Sequence, residues 1–97
     1  MKSWPSLPAL TIAAVLGSMP ESLAYDGDEM AKDAKLTMYE ARTAASRERR
    51  GDVGDVRLEK RKGGSGLRYV FLTKEKGKVY QVGIDANTGA VLENRAQ

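Results

Sequence analysis

The sequence predicts an α+β fold in which one N-terminal helix packs on a four-stranded antiparallel β-meander. Three observations predict it. A capping-box signature begins at Thr37, and small apolar residues recur after it at helical spacing. Four segments with strand-like apolar patterns follow this helix. The short connections between these segments each end in glycine, which suits hairpin loops built on type I turns.

The helix is predicted from both of its ends. In Thr37-Met38-Tyr39-Glu40, the Thr37 hydroxyl is expected to accept a free backbone N–H, and Glu40 to bond back to the cap. Leu36 precedes the cap, where an apolar residue can staple the first turn. Gly51 is predicted to stop the helix. The helix face expected against the sheet consists of Met38, Ala41, Ala44 and Ala45.

The four strands are expected to pair in a register that the loop lengths fix. They are predicted over Val53–Lys62, Leu67–Thr73, Lys78–Asp85 and Ala90–Asn94. Four-residue loops are predicted over 63–66, 74–77 and 86–89. The resulting pairs are all apolar, which supports the register. They are Leu58 with Phe71, Phe71 with Tyr80, Tyr69 with Val82, and Ile84 with Val91.

The last loop carries predicted turn chemistry. Asp85 and Asn87 are interpreted as turn residues whose side-chain oxygens bond loop N–H groups, rather than as ligands. Gly89 is expected to need a positive φ, whereas the glycine neighbours of Gly64 are expected to absorb a change there. We therefore expect Gly89→Val to destabilise the domain more than Gly64→Val.

The N-terminal part of the chain has the pattern of a secretory signal peptide. Lys2 supplies a positive start, an apolar run over 7–17 is too short to span a bilayer, and Ser22-Leu23-Ala24 has small residues at the two positions that a signal peptidase reads. Cleavage is expected before Tyr25, with an uncleaved anchor as the alternative. Residues 1–24 are thus a predicted signal peptide, 25–35 a flexible lead-in and 36–97 the domain. The mature protein is expected in the periplasm or outside a bacterial cell, without an integral membrane segment.

The amino-acid composition excludes several kinds of catalytic and metal-binding site. The chain of 97 residues has neither cysteine nor histidine, which excludes disulfides, Cys–His and Ser–His–Asp catalysis, and histidine-ligated zinc. We expect no catalytic residue, no cofactor and no metal. The net charge of +3 is small for a nucleic-acid binder of this size, so nucleic acid is not an expected partner.

One face of the predicted sheet is the candidate contact surface. The register places apolar residues on the face away from the helix, where a fully solvated antiparallel sheet would be polar. The alternatives are cover by the lead-in, or scattered exposed apolar residues. The functional interpretation is a surface for another protein or a second copy. The candidate residues are Val70, Leu72, Val79, Leu92 and Arg57, with Gln81 beside them.

A basic stretch over 47–68 is a second, weaker candidate. It holds eight Arg or Lys residues against four Asp or Glu residues. The functional interpretation is an anionic partner, such as phospholipid head groups or an acidic protein. The favoured interpretation is a solvated helix end and the outer face of an edge strand, because acidic residues interleave with the basic ones.

Taken together, these residues resemble the PepSY domain family. The similar segments are the helix opening Thr37–Ala41, Gly51–Val53 with the strand Val56–Glu59, and the central strand Tyr69–Phe71. The closing segment Ile84–Leu92 is the most specific part. The resemblance implies that, within these motifs, Thr37, Glu40, Ala41, Asp85 and Gly89 are fold determinants. The resemblance implies a non-catalytic module that restrains or inhibits a separate peptidase outside the cytoplasm. The rival hypotheses are a self-associating envelope protein and a small basic binder of anionic surfaces.

Overall fold

The computed structural model describes residues 24–97, and it contains one α-helix and one four-stranded antiparallel sheet. The predicted α+β fold class is therefore confirmed. The predicted signal peptide lies outside the described residues, apart from Ala24. In chain order the elements are a 3₁₀ helix at Asp28–Asp33, α1 at Met38–Glu48, β1 at Asp52–Lys60, β2 at Leu67–Glu75, β3 at Lys78–Asp85 and β4 at Val91–Ala96.

Helix α1 begins as predicted. The Glu40 N–H donates to Thr37 Oγ1 at 3.1 Å and the Thr37 N–H donates to Glu40 Oε1 at 2.8 Å, so both halves of the capping box are present. Of the predicted helix face, Met38, Ala41 and Ala45 are buried against the sheet and Ala44 is partly buried, with Ala41 fully enclosed. This close approach is what a helix face without large side chains permits.

The end of α1 differs from the prediction. The helix stops at Glu48, and the C-cap is Arg49 in an extended conformation rather than a glycine. The Arg49 guanidinium stacks 3.7 Å above the centre of the Tyr80 ring, which draws the chain onto the sheet. Gly51 serves a different purpose, because a Cβ there would overlap the backbone carbonyl of Lys74. It allows the chain to enter β1 close to β2.

The strand order β1-β2-β3-β4 is the predicted meander, but the register of two hairpins was predicted wrongly. Ile84 pairs with Val91 as expected. The corrected pairs are Leu58 with Tyr69, Tyr69 with Ile84, and Phe71 with Val82. The β2–β3 connection is a two-residue turn in which Lys76 and Gly77 have φ of 51° and 81°. The β1–β2 connection spans six residues, 61–66, because pairing ends at Lys60 and Leu67.

These register errors are shifts of two residues, so the side chains of β2 and β3 keep their predicted faces, as do Val56 and Leu58 of β1. The bulge in β4 moves Glu93 to the face away from the helix, because Glu93 pairs with Gly83. The helix side of the sheet therefore carries the expected core. Tyr69 and Phe71 stack at its centre, with ring centroids 6.3 Å apart. The buried core residues on this side are Met38, Ala41, Ala45, Leu58, Leu67, Tyr69, Phe71, Val82, Ile84 and Ala86.

The segment predicted as a flexible lead-in packs against this core. The Asp26 carbonyl accepts the Leu58 N–H at 2.9 Å, which places Asp26 along the outer edge of β1. The Tyr25 ring meets the Tyr69 ring edge-on, with centroids 6.2 Å apart. Met30, in the 3₁₀ helix, also contacts the core. The segment thus completes the helix side of the domain.

Candidate partner-binding surfaces

The face of the sheet away from α1, here called the outer face, carries the predicted residues. Fewer of them reach solvent than the sequence suggested. Val70 is 0% exposed, which corrects the expectation that it stands in water. Leu72, Leu92 and Arg57 are half-buried. Val79 is 38% exposed. Leu72 and Val79 are diagonal neighbours near the β2–β3 turn, since they pair with Gln81 and Lys74 respectively.

A polar network divides this face. The Glu93 carboxylate accepts hydrogen bonds from Arg68, Gln81 and Arg95, at 3.1 to 3.2 Å. Burial raises the pKa of Glu93, but these bonds and the charge of Arg68 outweigh it and hold the pKa below its usual range. Leu92 lies beyond this network, against the β1–β2 loop at Gly64. The accessible apolar patch is therefore confined to Leu72 and Val79.

Asp85 ties together two loops at one end of the sheet. Its carboxylate accepts the Ser65 N–H and Oγ–H, and the N–H groups of Asn87 and Thr88. Burial raises the pKa of Asp85, but these hydrogen bonds outweigh it and the pKa lies below its usual range. Gly89 follows in the same loop with φ of 84°, as predicted. These contacts favour the interpretation of Asp85 as a structural turn residue.

A groove that sequence reasoning missed lies on the opposite side of the molecule, between the 3₁₀ helix and the first turn of α1. Its volume is about 540 Å³. Tyr69 lies at its wall and donates its hydroxyl to the Leu36 carbonyl at 2.9 Å. No sequence pattern indicated this groove, because it forms only once the lead-in packs on β1 beside the first turn of α1. Its lining includes Ala24, Tyr25, Ala31, Ala34, Leu36, Met38, Tyr39 and Tyr69.

Much of the basic stretch is engaged within the fold. Arg49 bonds to Glu75 and Asn94 while it covers Tyr80. The other paired arginines are Arg57 and Arg61, both with Glu59, and Arg68 with Glu93. This pairing favours the structural interpretation of these arginines over an anion-binding one.

The tyrosines have structural surroundings. Burial raises the pKa of the Tyr69 hydroxyl far above its usual range, and the neighbouring Tyr25 raises it further. A phenol that stays protonated suits a hydrogen-bond donor to a backbone carbonyl. Within residues 24–97, no group of three or more acidic side chains is placed to hold a metal ion. In the same part of the chain, no helix has the length and apolarity to cross a membrane.

The comparisons with known proteins fit this geometry. The family model described as "Peptidase propeptide and YPEB domain", PepSY, matches residues 35–95. The chain belongs to the PepSY family. The match begins just before the capping box and ends within β4, so the PepSY unit is α1 with the four strands. Residues 24–34, which carry Tyr25 and the 3₁₀ helix, precede the matched region. No curated protein and no solved structure matches the chain.

Proposed function

We propose that this PepSY domain is an exported, non-catalytic binding module that regulates or inhibits a separate extracytoplasmic protein, such as a peptidase. The observation that carries the proposal is the family match over 35–95, since that family is named for peptidase propeptides. The lack of histidine and cysteine supports a role in binding rather than catalysis. The signal-peptide pattern of residues 1–24 supports export.

The proposed contact surface is the outer sheet face around Leu72 and Val79. Val79 is 38% exposed, and Leu72 beside it is half-buried. Covering a side chain of this size contributes roughly 1.5 kcal/mol or more. Arg57 lies on the same face, and Leu92 lies beyond the polar network, against the β1–β2 loop. Val70 lies two residues before Leu72 on β2 but is 0% exposed, so it offers no surface to a partner.

The test is inhibition of a purified thermolysin-type peptidase by the mature domain. We expect the wild-type domain to slow cleavage, and the double variant Leu72→Thr with Val79→Thr to lose this effect. Threonine keeps strand propensity and removes apolar contact. Val91→Thr is the matched control, because Val91 is 42% exposed but pairs with the core residue Ile84 on the helix side.

Each possible result of this experiment supports or contradicts a different part of the proposal. Inhibition lost by the double variant and kept by the control supports both the function and the surface. If both variants still inhibit, the contact lies on another surface, and the groove beside Tyr69 is the next candidate. A wild-type domain that neither binds nor inhibits such peptidases would overturn peptidase regulation. Thermal midpoints of the three proteins ensure that folded molecules are compared.

A further inference from the structure

The two edges of the sheet differ in what covers them. On β1, the Asp26 carbonyl accepts the Leu58 N–H at 2.9 Å, and the 3₁₀ helix packs beside the same strand. On β4, no segment of residues 24–97 pairs with the outer edge. An open edge presents unpaired N–H and C=O groups to any strand that can align with them. The sheet can therefore be extended at β4.

Hydrogen-bond parity identifies the backbone groups that face outward. The Gln97 N–H donates to a carbonyl of β3 at 2.8 Å. Alternate residues of an antiparallel strand bond to the same neighbour, so the backbones of Arg95 and Glu93 also face β3. The N–H and C=O groups of Asn94 and Ala96 consequently face away from the sheet. These two residues supply the regular part of the open edge.

This edge is only partly protected against pairing. Edge strands are protected by charged side chains, lysine above all, by proline or by a bulge, and β4 carries the charged residues Glu93 and Arg95. β4 has neither lysine nor proline, and its one irregularity lies at its start, opposite Gly83 and Ile84. The stretch Asn94–Ala96 continues in regular register with β3. Its Arg95 side chain is 61% exposed.

The charges along β4 complement those of a second copy of β4 that runs antiparallel to it. We propose that β4 pairs antiparallel with β4 of a second copy, about a twofold axis at Asn94. This register places each Glu93 directly opposite Arg95 of the other copy, where Cβ atoms lie about 5 Å apart and opposite charges attract. Arg95 of the other copy would join the hydrogen bonds that the Glu93 carboxylate already accepts from Arg68, Gln81 and Arg95 of its own chain. An axis at Arg95 would place two arginines opposite each other. Charge therefore selects the Asn94 register.

The helices leave room for this pairing. Neighbouring strands are about 4.8 Å apart, so the two β3 strands would be separated by about 14 Å across the dimer. α1 packs more on β3 than on β2 or β4, although Glu48 and Arg49 at its C-terminal end bind the Asn94 side chain. Helices in contact have axes about 8–10 Å apart, so the two α1 helices do not collide. The dimer is a continuous eight-stranded sheet with both helices on one face.

The contact is small, and the dimer is accordingly weak. One pair of short strands buries less surface than the roughly 1,200 Å² of a stable specific complex. Association is expected to depend on protein concentration. It goes beyond the proposed function, because the β4 edge is separate from Leu72 and Val79, and both can operate in one molecule.

The experiment combines sedimentation with amide hydrogen exchange on the exported form of the protein. As concentration rises to the millimolar range, we expect dimer to accumulate and exchange of the Asn94 amide to slow in proportion. Exchange of the core Tyr69 amide should not change. Ala96→Pro removes an outward N–H without touching the β3 ladder and should weaken association at least about tenfold. Ala96→Ser keeps that N–H and should behave as wild type.

A second variant covers the case in which the proline disturbs folding. Arg95→Glu places like charges opposite each other in the proposed register and should also abolish the dimer. The proposal is overturned if the wild-type chain remains monomeric at millimolar concentration. It is equally overturned if a dimer forms while the Asn94 amide exchanges at its monomer rate, or if folded Ala96→Pro or Arg95→Glu associates as wild type does.

Discussion

Glu93 reaches Arg68 across the full width of β3, and Gly83 leaves the space for it. Arg68 Nη1 and Glu93 Oε2 are 3.2 Å apart, although the two residues belong to β2 and β4. Their side chains are only 9% and 11% exposed. A Cβ on Gly83 would lie 2.6 Å from Glu93 Cγ, closer than carbon atoms can approach. The glycine thus permits an ion pair to cross an intervening strand.

Gly83→Ala is expected to destabilise the domain by about 1–3 kcal/mol, because the added methyl displaces Glu93 from a buried ion pair. Gly54→Ala is the matched control: it also adds a methyl to a strand glycine, but the nearest atom is the Leu72 carbonyl oxygen, 3.9 Å away. Urea unfolding midpoints compare the two. Equal midpoints would show that the space above Gly83 is not required.

Asp85→Asn should destabilise the domain by about 1–3 kcal/mol, because the amide cannot accept every hydrogen bond that the carboxylate accepts. The effect depends on pH. Since the pKa of Asp85 is lower folded than unfolded, its stabilisation is present above the unfolded pKa of about 3.9 and is lost as pH falls through the folded pKa. The difference in unfolding free energy between Asp85→Asn and wild type should therefore be smallest in acid.

The control for Asp85 is Asp55→Asn, which changes an exposed carboxylate on β1. Unfolding free energies measured by urea at neutral pH and near pH 3 provide the comparison, the lower value being chosen below the unfolded pKa. A difference between Asp85→Asn and wild type that stays constant over this range would contradict the role given to the Asp85 charge.

Side-chain periodicity was enough to predict which face each strand buries, but not the register of the hairpins. Phe71 was expected opposite Tyr80 and lies opposite Val82. The reason is local: Lys76 adopts a φ of 51°, which shortens the loop to two residues. A lysine with positive φ is uncommon, and sequence alone gave no sign of it. Because the shift is two residues, the core composition was unaffected.

The outer face shows a second limit of sequence reasoning. Val70 was expected in solvent because it alternates away from the helix, and its placement on that face is correct. Its exposure depends on whether long side chains of neighbouring strands cover it. Periodicity does not predict that cover. The groove beside Tyr69 was missed for a related reason, since it forms between the lead-in and the first turn of α1, which are distant until the lead-in packs on β1.

The structure reverses the expected order of two glycine substitutions. Gly64 has φ of 57°, and a Cβ there would overlap the Asp85 carboxylate. Gly89 also has positive φ, but its Cβ would meet only Leu36 Cδ1, at 3.5 Å. We therefore now expect substitution of Gly64 to be the more damaging. Its glycine neighbours do not relieve the overlap with Asp85.

A matched pair of alanine variants isolates that overlap. Gly64→Ala and Gly66→Ala each place a side chain at positive φ, but Gly66 has no atom within 4 Å of the added Cβ. Both should lose about 1 kcal/mol or more from backbone strain, and Gly64→Ala should lose more because it also displaces Asp85. Thermal midpoints measure the difference. Identical losses of stability in the two variants would mean that backbone strain accounts for the whole effect.

Export is expected to remove Met1–Ala24. The expectation follows from the charged start, the short apolar run and the small residues that end at Ala24. Intact mass of the exported protein gives the cleavage point. Trp4 is the only tryptophan, so the mature protein should show no tryptophan emission. An exported species that retains Trp4 would contradict the assignment.

Tyr25 is predicted to matter for stability even though it precedes the matched PepSY region. Its ring packs edge-on against Tyr69, and Asp26 beside it bonds to the edge of β1. Tyr25→Ala should destabilise the domain by about 1–2 kcal/mol through the lost aromatic pair and apolar contact. Tyr39→Ala is the control, because Tyr39 is 48% exposed and should change stability by about 0.5 kcal/mol or less.

Two measurements on the mature chain decide this prediction. Urea midpoints report the loss of stability, and hydrogen exchange of the Leu58 amide reports whether the Asp26 carbonyl still covers it. In Tyr25→Ala the midpoint should fall and the Leu58 amide should exchange faster, because the lead-in loses the ring that holds it on the core. If the two tyrosine variants behave alike, residues 25–34 form no part of the folding unit. The domain would then begin at the capping box of α1.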